Sequence, residues 1–517
     1  MLQPGKNWSR YLIRGFFVSL IIIVFLGYGV DSHAQILGGQ RIELVGIRSH
    51  NGMELEELEP EDLEDEDDLE GSLLEERPDD IEMDEMYTVT LFDRPLSMGL
   101  EYESNVEFFK DFVLEKDAED DLLVIEQILI PELFYPLTEH TSLYICLEIF
   151  YEGEFQTEID KHDTVTGIDR EEMWLFVGNL FETGFSLQIG RQEVEEDRQW
   201  WWGDEELDSF RVRYDSSSLH AELTMGQELA RSNTADDRID PEVEDLFRVL
   251  GQFAWGWEED HRLDAFFLYQ NDHSSRPSLG EIMREELEDP SDADLLWIGG
   301  RASGRVCTEK IGEVEYWLDA AGVFGEEELF EFEETEDGRS EVSSRIKRDV
   351  AGWGFDVGLT LWTDIRGRPF FNLGYAWGSG DRRSDPDKDQ SFRQTGLHGS
   401  EDRFSYYGVL LDPELSNLQI CTAVLGSRLW ESSLIALAYH DYRQVRTSSF
   451  LRGAEIEEDL EGSSRDIGQG WDLVIIIEDW KNMELKFFGS QFRAGSAYGP
   501  LSGEKAYYTG FEMNYRF

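Results

Sequence analysis

The sequence predicts an all-β fold: a transmembrane β-barrel of the bacterial outer membrane, with about 18 antiparallel strands. Three observations lead to this prediction. Segments of about 7–12 residues alternate apolar and polar side chains from Tyr87 onward. Short turns join these segments in pairs, and long polar connections separate the pairs, which is the asymmetry of outer-membrane barrels. The final segment, Ala506–Phe517, alternates throughout and ends on an aromatic residue.

The alternation is clearest in the middle of the chain. Over Trp353–Trp362, Trp353 and Phe355 share one face with further apolar residues, whereas Gly354 and Asp356 lie on the other face. Four hairpins follow the same pattern. They are Met173–Leu180 with Phe185–Gly190, Leu250–Trp257 with Leu263–Asn271, Leu418–Trp430 with Leu434–Tyr442, and Trp471–Trp480 with Glu484–Phe492.

Tryptophans near the predicted strand ends are typical of the aromatic belts at membrane surfaces. A large β-sandwich also buries aromatic rings at strand ends, but it seldom contains so many consecutive long hairpins. The tryptophans concerned are Trp255, Trp257, Trp362, Trp430, Trp471 and Trp480.

Composition excludes several classes of protein. The 517 residues include 45 Lys and Arg against 111 Asp and Glu, a formal charge of −66. Such an acidic chain is a poor partner for nucleic acid, whose binding depends on Lys and Arg neutralising phosphates. The aromatic share of 13% argues against a mostly disordered acidic chain. Repeated apolar runs of about 20 residues are lacking, which excludes a multi-helix membrane protein.

The chain divides into three predicted parts. Residues 1–34 resemble a signal peptide, with basic residues, the apolar run Phe16–Tyr28 and the small-x-small site Ser32-His33-Ala34; a membrane anchor is the alternative. Residues 35–86 form an acidic linker, since 19 of the 32 residues from 54 to 85 are Asp or Glu, and we expect it to be disordered. A tail that binds divalent cations or a basic partner is the other interpretation. Residues 87–517 form the barrel.

Several motifs from about Glu172 onward resemble those of the alginate-export family of outer-membrane channels. The motifs keep the family's order and spacing, whereas residues 35–170 match poorly. They are Gly190-Arg191-Gln192 with Glu196-Asp197, Tyr375-Ala376 with Gly378-Ser379-Gly380, Gln394-Thr395-Gly396-Leu397, Glu414-Leu415-Ser416-Asn417-Leu418-Gln419, Tyr439-His440, Asp466-Ile467-Gly468-Gln469 with Asp472, and Ala497-Tyr498-Gly499-Pro500.

The resemblance implies a function. Family members are 18-stranded channels that export a newly made anionic polysaccharide, with an arginine-rich constriction, loops that gate the pore and a periplasmic scaffold lipoprotein as partner. We therefore expect a monomeric barrel in the outer membrane of a Gram-negative bacterium, surrounded by its lipid and exporting an alginate-like polymer. Guanidinium and ammonium groups lining the pore would attract the carboxylate of each sugar.

The resemblance also implies candidate site residues. Arg191 stands at the arginine of the G-R-Q motif, whereas Glu171 and Phe488 stand where the family pattern has arginines. By strand parity, Arg191 shares a face with apolar residues, so either Gly190 is a bulge that re-aims it or Arg191 anchors the membrane interface. Lys486 is inward by parity with Glu484. The candidate pore-lining residues are Arg170, Arg191, Lys486 and Arg493.

Other functions remain open from the residues alone. The inward parity of Glu148, Asp356, Asp472, Glu484 and Glu512 favours a general or cation-preferring uptake porin. A surface protein that transports nothing and whose acidic loops bind cations or a host surface is a third interpretation.

We expect no enzyme, cofactor or metal site. Zinc motifs are lacking, and Asp385-x-Asp387-x-Asp389 lacks the later residues of a calcium loop. His440 beside Asp441 has no positioned Ser, as an esterase would need. Three cysteines are too few for a disulfide framework, although one pair remains open.

Overall fold

The structure, a computed structural model, is almost entirely β-strand. It describes residues 87–114, 121–156, 162–194, 198, 200–202, 205–235, 238–241, 243–258, 260–272, 274, 276–284, 287–308, 312–335, 339–381, 387–395, 399–400, 404–405, 407–456 and 458–517. The predicted signal peptide and acidic linker lie outside these residues. None of the helices within these ranges combines the length and apolar character that a bilayer crossing requires.

Eighteen antiparallel strands form the wall of a closed barrel, as predicted. Two of them, β3 and β4, consist of two segments each. The first nine strands are β1 Arg94–Lys110, β2 Leu122–Thr138, β3 Thr141–Cys146 and Glu148–Gln156, β4 His162–Asp169 and Met173–Leu180, β5 Phe185–Val194, β6 Glu205–Ser216, β7 Leu219–Gly226, β8 Leu246–Glu258 and β9 His261–Asp272. The remaining nine are β10 Ser291–Thr308, β11 Gly312–Thr335, β12 Arg339–Trp362, β13 Phe370–Gly378, β14 Leu418–Arg428, β15 Leu434–Gln444, β16 Asp466–Trp480, β17 Met483–Ala494 and β18 Lys505–Arg516.

The last strand closes the ring on the first. β18 pairs with β1 from Tyr507↔Lys110 to Arg516↔Glu101. Below this pairing, a short strand, Tyr87–Leu91, folds back on the start of β1, and the Phe517 backbone N–H donates to the Leu100 carbonyl at 2.9 Å. Each strand of the wall thus has a hydrogen-bonded neighbour on both sides, as a lipid environment demands.

Strand β4 contains a bulge. Glu148 pairs with Asp169, whereas Ile145 pairs with Met173, so three residues of β4 lie opposite two of β3. Such a bulge bends a strand and re-aims its side chains. Arg170, one of the candidate pore residues, lies in this bulge.

The connections at the two ends of the barrel differ, as predicted. Two residues link β16 to β17 through Lys481-Asn482, and two link β6 to β7. At the opposite end, residues 379–417 connect β13 to β14 and residues 445–465 connect β15 to β16. Because barrels of this kind have short periplasmic turns and long outer loops, we call these the turn end and the loop end, the latter facing the cell exterior.

The two faces of the wall carry different side chains. Outward residues such as Phe487 and Leu425 are exposed and apolar, while their neighbours Lys486 and Val424 are buried on the inward face. Five of the six tryptophans predicted to form belts are exposed on the outer surface. The prediction is wrong for Trp362, which turns inward, packs on Phe370 with ring centroids 4.4 Å apart, and donates its indole N–H to Glu315 at 3.1 Å.

Candidate functional site

Two arginines of β6 lie on the inward face of the barrel wall. Arg211 and Arg213 alternate along the strand with the outward residues Phe210 and Val212, and both are buried. A single carboxylate from the neighbouring strand β7 holds both: Glu222 is 2.8 Å from Arg211 Nε and 3.1 Å from Arg213 Nε. The shared carboxylate keeps two guanidinium groups side by side and aimed along the wall.

Two further strands, β9 and β10, also carry arginines on the inward face of the wall. Arg262 lies 2.6 Å from Asp264 within β9. Arg301 of β10 pairs with Asp319 of β11. Arg305 of β10 lies 3.0 Å from Glu313, which also belongs to β11. We call Arg211, Arg213, Arg262, Arg301 and Arg305 the inner arginines. Each inner arginine contacts a carboxylate. The carboxylate holds the guanidinium group in place and offsets part of its positive charge.

Two segments at the loop end fold into the lumen instead of projecting outward. One contains Trp200, Trp201 and Trp202, all less than 10% exposed, and the other comprises the described residues 379–381, 387–395 and 407–417, which we call the inner loop. Trp201 stacks on the inward Phe266 with centroids 4.5 Å apart and planes 7° from parallel. Trp200 stacks on Phe392 of the inner loop at 5.9 Å. The tryptophans, the inner loop and the inward wall thus form one apolar cluster.

Hydrogen bonds attach the inner loop to the tryptophan segment and to the wall. Gln394 Nε2 donates to the Trp200 carbonyl at 3.3 Å, and the Thr395 hydroxyl donates to the Trp201 carbonyl. The indole N–H of Trp297 on β10 donates to the Arg393 carbonyl at 2.9 Å. The two segments that enter the lumen are therefore bound to each other as well as to the barrel.

Charged groups on the wall also seat the inner loop. Arg393 contacts Glu327 of β11 at 2.9 Å and Asp389 of its own loop at 2.7 Å. Burial alone would raise the pKa of Asp389, but the Arg393 guanidinium and the hydrogen bonds from Ser391 together outweigh it and hold that pKa below its usual value. Burial and the nearby carboxylate of Asp356 raise the pKa of Tyr407 far above its usual value, so its phenol stays protonated and donates to Asp356 at 3.0 Å.

Two glycines on the inward face of β12 leave room for the inner loop. A Cβ on Gly352 would lie 2.2 Å from the Ser391 carbonyl oxygen, and one on Gly354 would lie 2.8 Å from the Phe392 ring. Only a residue without a side chain allows backbone and ring to approach a strand this closely.

This contact leads to a testable prediction. In Gly352→Leu the added side chain meets backbone of the inner loop, which cannot rotate away, so we expect the loop to leave its seat. The expected result is faster proteolysis of the inner loop in the folded barrel and a larger single-channel conductance. Gly374→Leu on β13 is the matched control, since its Cβ would lie 3.6 Å from the nearest atom, an ordinary contact. Equal behaviour of the two variants would contradict the seating.

Comparison with known proteins identifies the family to which this barrel belongs. The sequence profile of the family Alginate_exp, described as "Alginate export", matches residues 94–511. The chain belongs to the alginate export family. Two relatives are both named alginate production protein AlgE. The protein from Pseudomonas aeruginosa is 28% identical over 354 residues, which span 64% of this chain and 70% of the relative. The protein from Pseudomonas syringae is 23% identical over 59% of this chain and 63% of its own length.

Solved structures with a similar fold include two proteins from Pseudomonas aeruginosa. OccK5 (OpdH) has a TM-score of 0.49 at 9% identity and covers 81% of this chain and 98% of its own. OpdK with vanillate has a TM-score of 0.47 at 9% identity and covers 81% and 98%. Family membership, together with the closed barrel and its apolar outer face, places this protein in the outer membrane and in a family of channels.

Several residues of the motifs that resemble this export family hold the inner loop in place. Gln394 and Thr395, from Q-T-G-L, hold the tryptophan segment. Asn417, from E-L-S-N-L-Q, exchanges two hydrogen bonds of 2.8 Å with the backbone of Arg446 in the next loop. His440 lies 3.1 Å from Asp472, whose carboxylate also accepts the Val409 backbone N–H at 3.4 Å.

Of the four candidate pore residues, one lies on the inward face. Lys486 is 6% exposed and contacts Glu484 at 3.2 Å and Glu512 at 3.9 Å. Arg493 is exposed on the outward face of β17, on the same side as Phe487. Arg170 donates to the carbonyls of Ala230 and Arg231 in the loop after β7, away from the lumen.

Arg191 occupies a different environment from both expected ones. Gly190 has a φ of +134°, yet the strand register continues through it without a shift, so Arg191 keeps its outward parity. Its side chain is 5% exposed, because residues 227–234 lie over this part of the wall, and it faces Glu206 at 3.4 Å and Glu228 at 3.9 Å. A pore role for Arg191 remains a prediction.

The inner arginines were missed by sequence reasoning, although a signal for them exists. In Phe210-Arg211-Val212-Arg213-Tyr214 two arginines alternate with apolar residues, which is the period expected for a lumen-facing pair.

Within the residues that the structure describes, no group of three or more His, Cys, Asp or Glu side chains is arranged to hold a metal ion. Asp385 of the weak calcium pattern lies outside the described residues. Cys146, Cys307 and Cys421 are all free thiols, so the disulfide left open by the sequence does not form.

Proposed function

We propose that this protein exports an anionic, alginate-like polysaccharide across the outer membrane, and that the polymer passes along the inner arginines and Lys486. The observation that carries the proposal is the row of inward guanidinium groups on β6, β9 and β10. Membership of the alginate export family supports the class of substrate. The two relatives that carry the name alginate production protein support it further.

Ion pairing within the wall suits transport better than tight binding. Each inner arginine already contacts a protein carboxylate, such as Glu222 or Asp319. A sugar carboxylate entering the lumen would exchange with that partner, so the net gain at each site is small. Several weak sites in sequence let a polymer enter without being trapped.

The inner loop is the gate in this proposal. It lies in the lumen, attached by Gln394, Arg393 and Tyr407, and an 18-stranded barrel leaves an aqueous channel only where loops do not fill it. Export then requires the loop to leave its seat. A periplasmic scaffold lipoprotein would deliver the polymer to the turn end, and one barrel would suffice as the conducting unit.

A second candidate function has its own supporting observation. Asp356 and Asp472 are buried on the inward face, and Glu148, Glu484 and Glu512 share the inward parity. These carboxylates favour a general or cation-preferring uptake porin.

Planar-bilayer recording distinguishes the two functions. We expect open channels to be blocked by short polyuronate chains and not by neutral dextran of equal size, because only the former carries carboxylates for the inner arginines. A cation-preferring channel whose current polyuronate leaves unchanged would contradict export and support uptake. Channels opened by shortening the inner loop serve for this measurement if the native protein stays closed.

A further inference from the structure

The outer surface of the barrel carries a row of cations at the loop end of its last strands. Arg493 of β17 pairs in register with Lys505 of β18 on one side and Gln469 of β16 on the other. Arg465 precedes β16 and is also exposed. Adjacent strands lie about 5 Å apart, so Arg493 and Lys505 are near neighbours. We call Arg465, Arg493 and Lys505 the outer cation row.

The charges of the row lack acidic partners. Among the residues that the structure describes, no carboxylate oxygen lies within 4.0 Å of the side-chain nitrogens of these three residues, whereas inward arginines such as Arg211, Arg301 and Arg393 form ion pairs. Lys505 donates only to Gln491, at 3.1 Å. In a chain with a formal charge of −66, exposed cations without carboxylate partners on one surface are available to an external anion.

Aromatic side chains place the row at the membrane surface. Three aromatic residues lie on the outward face, closer to the turn end than the row. Trp471 and Tyr507 are each two residues along their strands from Gln469 and Lys505, and Tyr439 pairs with Trp471. Tyr439 and Trp471 contact each other with centroids 4.8 Å apart, and Trp471 is exposed. Rings of this kind sit at headgroup level, so the cations just beyond them face the headgroups of the outer leaflet.

A polar cavity adjoins the row. Its volume is about 590 Å³, and the residues lining it on the outward side include Gln419, Asp441, Arg443 and Gln469. Arg443 is engaged by Asp441 at 2.9 Å, and one Asp466 oxygen accepts from Ser496. The cavity is therefore suited to the hydroxyl groups of a sugar, while the outer cation row beside it is suited to phosphate.

We propose that this surface binds a phosphorylated glycolipid of the outer leaflet. The acyl chains would lie on the apolar wall near Phe487, the sugar would enter the cavity, and a phosphate would contact Arg465, Arg493 and Lys505. Charge complementarity selects a phosphate-bearing lipid, because lipid phosphates attract Lys and Arg at a membrane surface. This assignment is independent of the transported polymer, which contacts the opposite face of the wall.

The test compares lipid binding to the folded barrel in detergent by native mass spectrometry. The probe is bis-phosphoryl lipid A, and the variant is Arg465→Gln, Arg493→Gln and Lys505→Gln combined. We expect the variant to bind the probe at least about tenfold more weakly, since each surface cation contributes to lipid affinity. The matched control is Arg345→Gln with Lys347→Gln, because these outward residues of β12 are engaged by Glu328 and Glu326. Its affinity should equal that of the native protein.

Three outcomes would overturn the proposal. The first is equal affinity of native protein and triple variant while both migrate as folded barrels in unheated gels. The second is equal binding of lipid A from which the phosphates have been removed. The third is binding of inorganic phosphate alone with no advantage for the lipid, which would indicate a site for free phosphate.

Discussion

Shortening the inner loop is expected to convert a closed barrel into a conducting channel. Trp377 of β13 pairs with Gln419 of β14, so the strands joined by this loop are neighbours and a short linker can connect them. Replacing residues 381–411 with four glycine and serine residues removes Phe392, Arg393 and Tyr407 from the lumen. We expect single-channel conductance to rise about tenfold or more, because a barrel of this width conducts when its lumen is empty.

The design separates opening from misfolding. The wall keeps its strand pairing, so the shortened protein should still migrate as a folded barrel in unheated gels and show a β-rich circular dichroism spectrum. Arg393→Gln is a milder variant, because it removes the contacts with Glu327 and Asp389 while the inner loop keeps its full length. An intermediate frequency of opening is expected for it. A folded, shortened barrel with the native conductance would show that the inner loop does not obstruct the pore.

Replacing inner arginines is expected to change the selectivity of the opened channel. In the shortened background, Arg211→Gln, Arg213→Gln and Arg301→Gln together remove both arginines that contact Glu222 and one of the two that contact Asp319, the other being Arg198. The lumen becomes more negative, so cations should be favoured. With about 0.5 kcal/mol lost at each of three solvated contacts, the affinity of polyuronate for the pore should fall about tenfold.

Reversal potentials in a salt gradient and the concentration of polyuronate that halves the current measure the two effects. Lys347→Gln is the control, because it removes one positive charge from the outward face, where ions do not pass. An unchanged selectivity and an unchanged block in the triple variant would mean that the polymer does not follow the inner arginines. Using Arg211→Lys in place of Arg211→Gln should recover part of the block, because a positive charge returns without the bidentate geometry of arginine.

Sequence reasoning predicted the wall well but not which basic residues line it. Alternation predicted the inward side of Lys486, since β17 runs without a bulge around it. The same reasoning left Arg191 undecided because the outcome depends on whether Gly190 shifts the register, and on residues 227–234 that cover this place from far along the chain. Arg170 lies in a bulge of β4, where parity gives no answer.

The seating of the inner loop could not be predicted from local patterns. Gly352 and Gly354 occupy ordinary inward positions of β12, and nothing in their immediate neighbours indicates that residues 391 and 392 approach them. The resemblance motifs drew attention to Gln394 and Asp472, but their partners, Trp200 and Val409, lie 194 and 63 residues away. Contacts over such separations depend on how the barrel brings its loops together.

By itself the sequence determined the barrel, its approximate number of strands, the short and long ends, and the apolar outer surface. It could do so because a period of two and a turn of a few residues are local properties, repeated many times along the chain. Only the tertiary structure decided that Trp200–Trp202 and the inner loop enter the lumen, that the inner arginines share one side of it, and that Arg493 and Lys505 lie opposite each other on the outer surface. Each of these depends on register between strands and on closure of the ring, because side chains from distant segments come together only when the last strand pairs with the first.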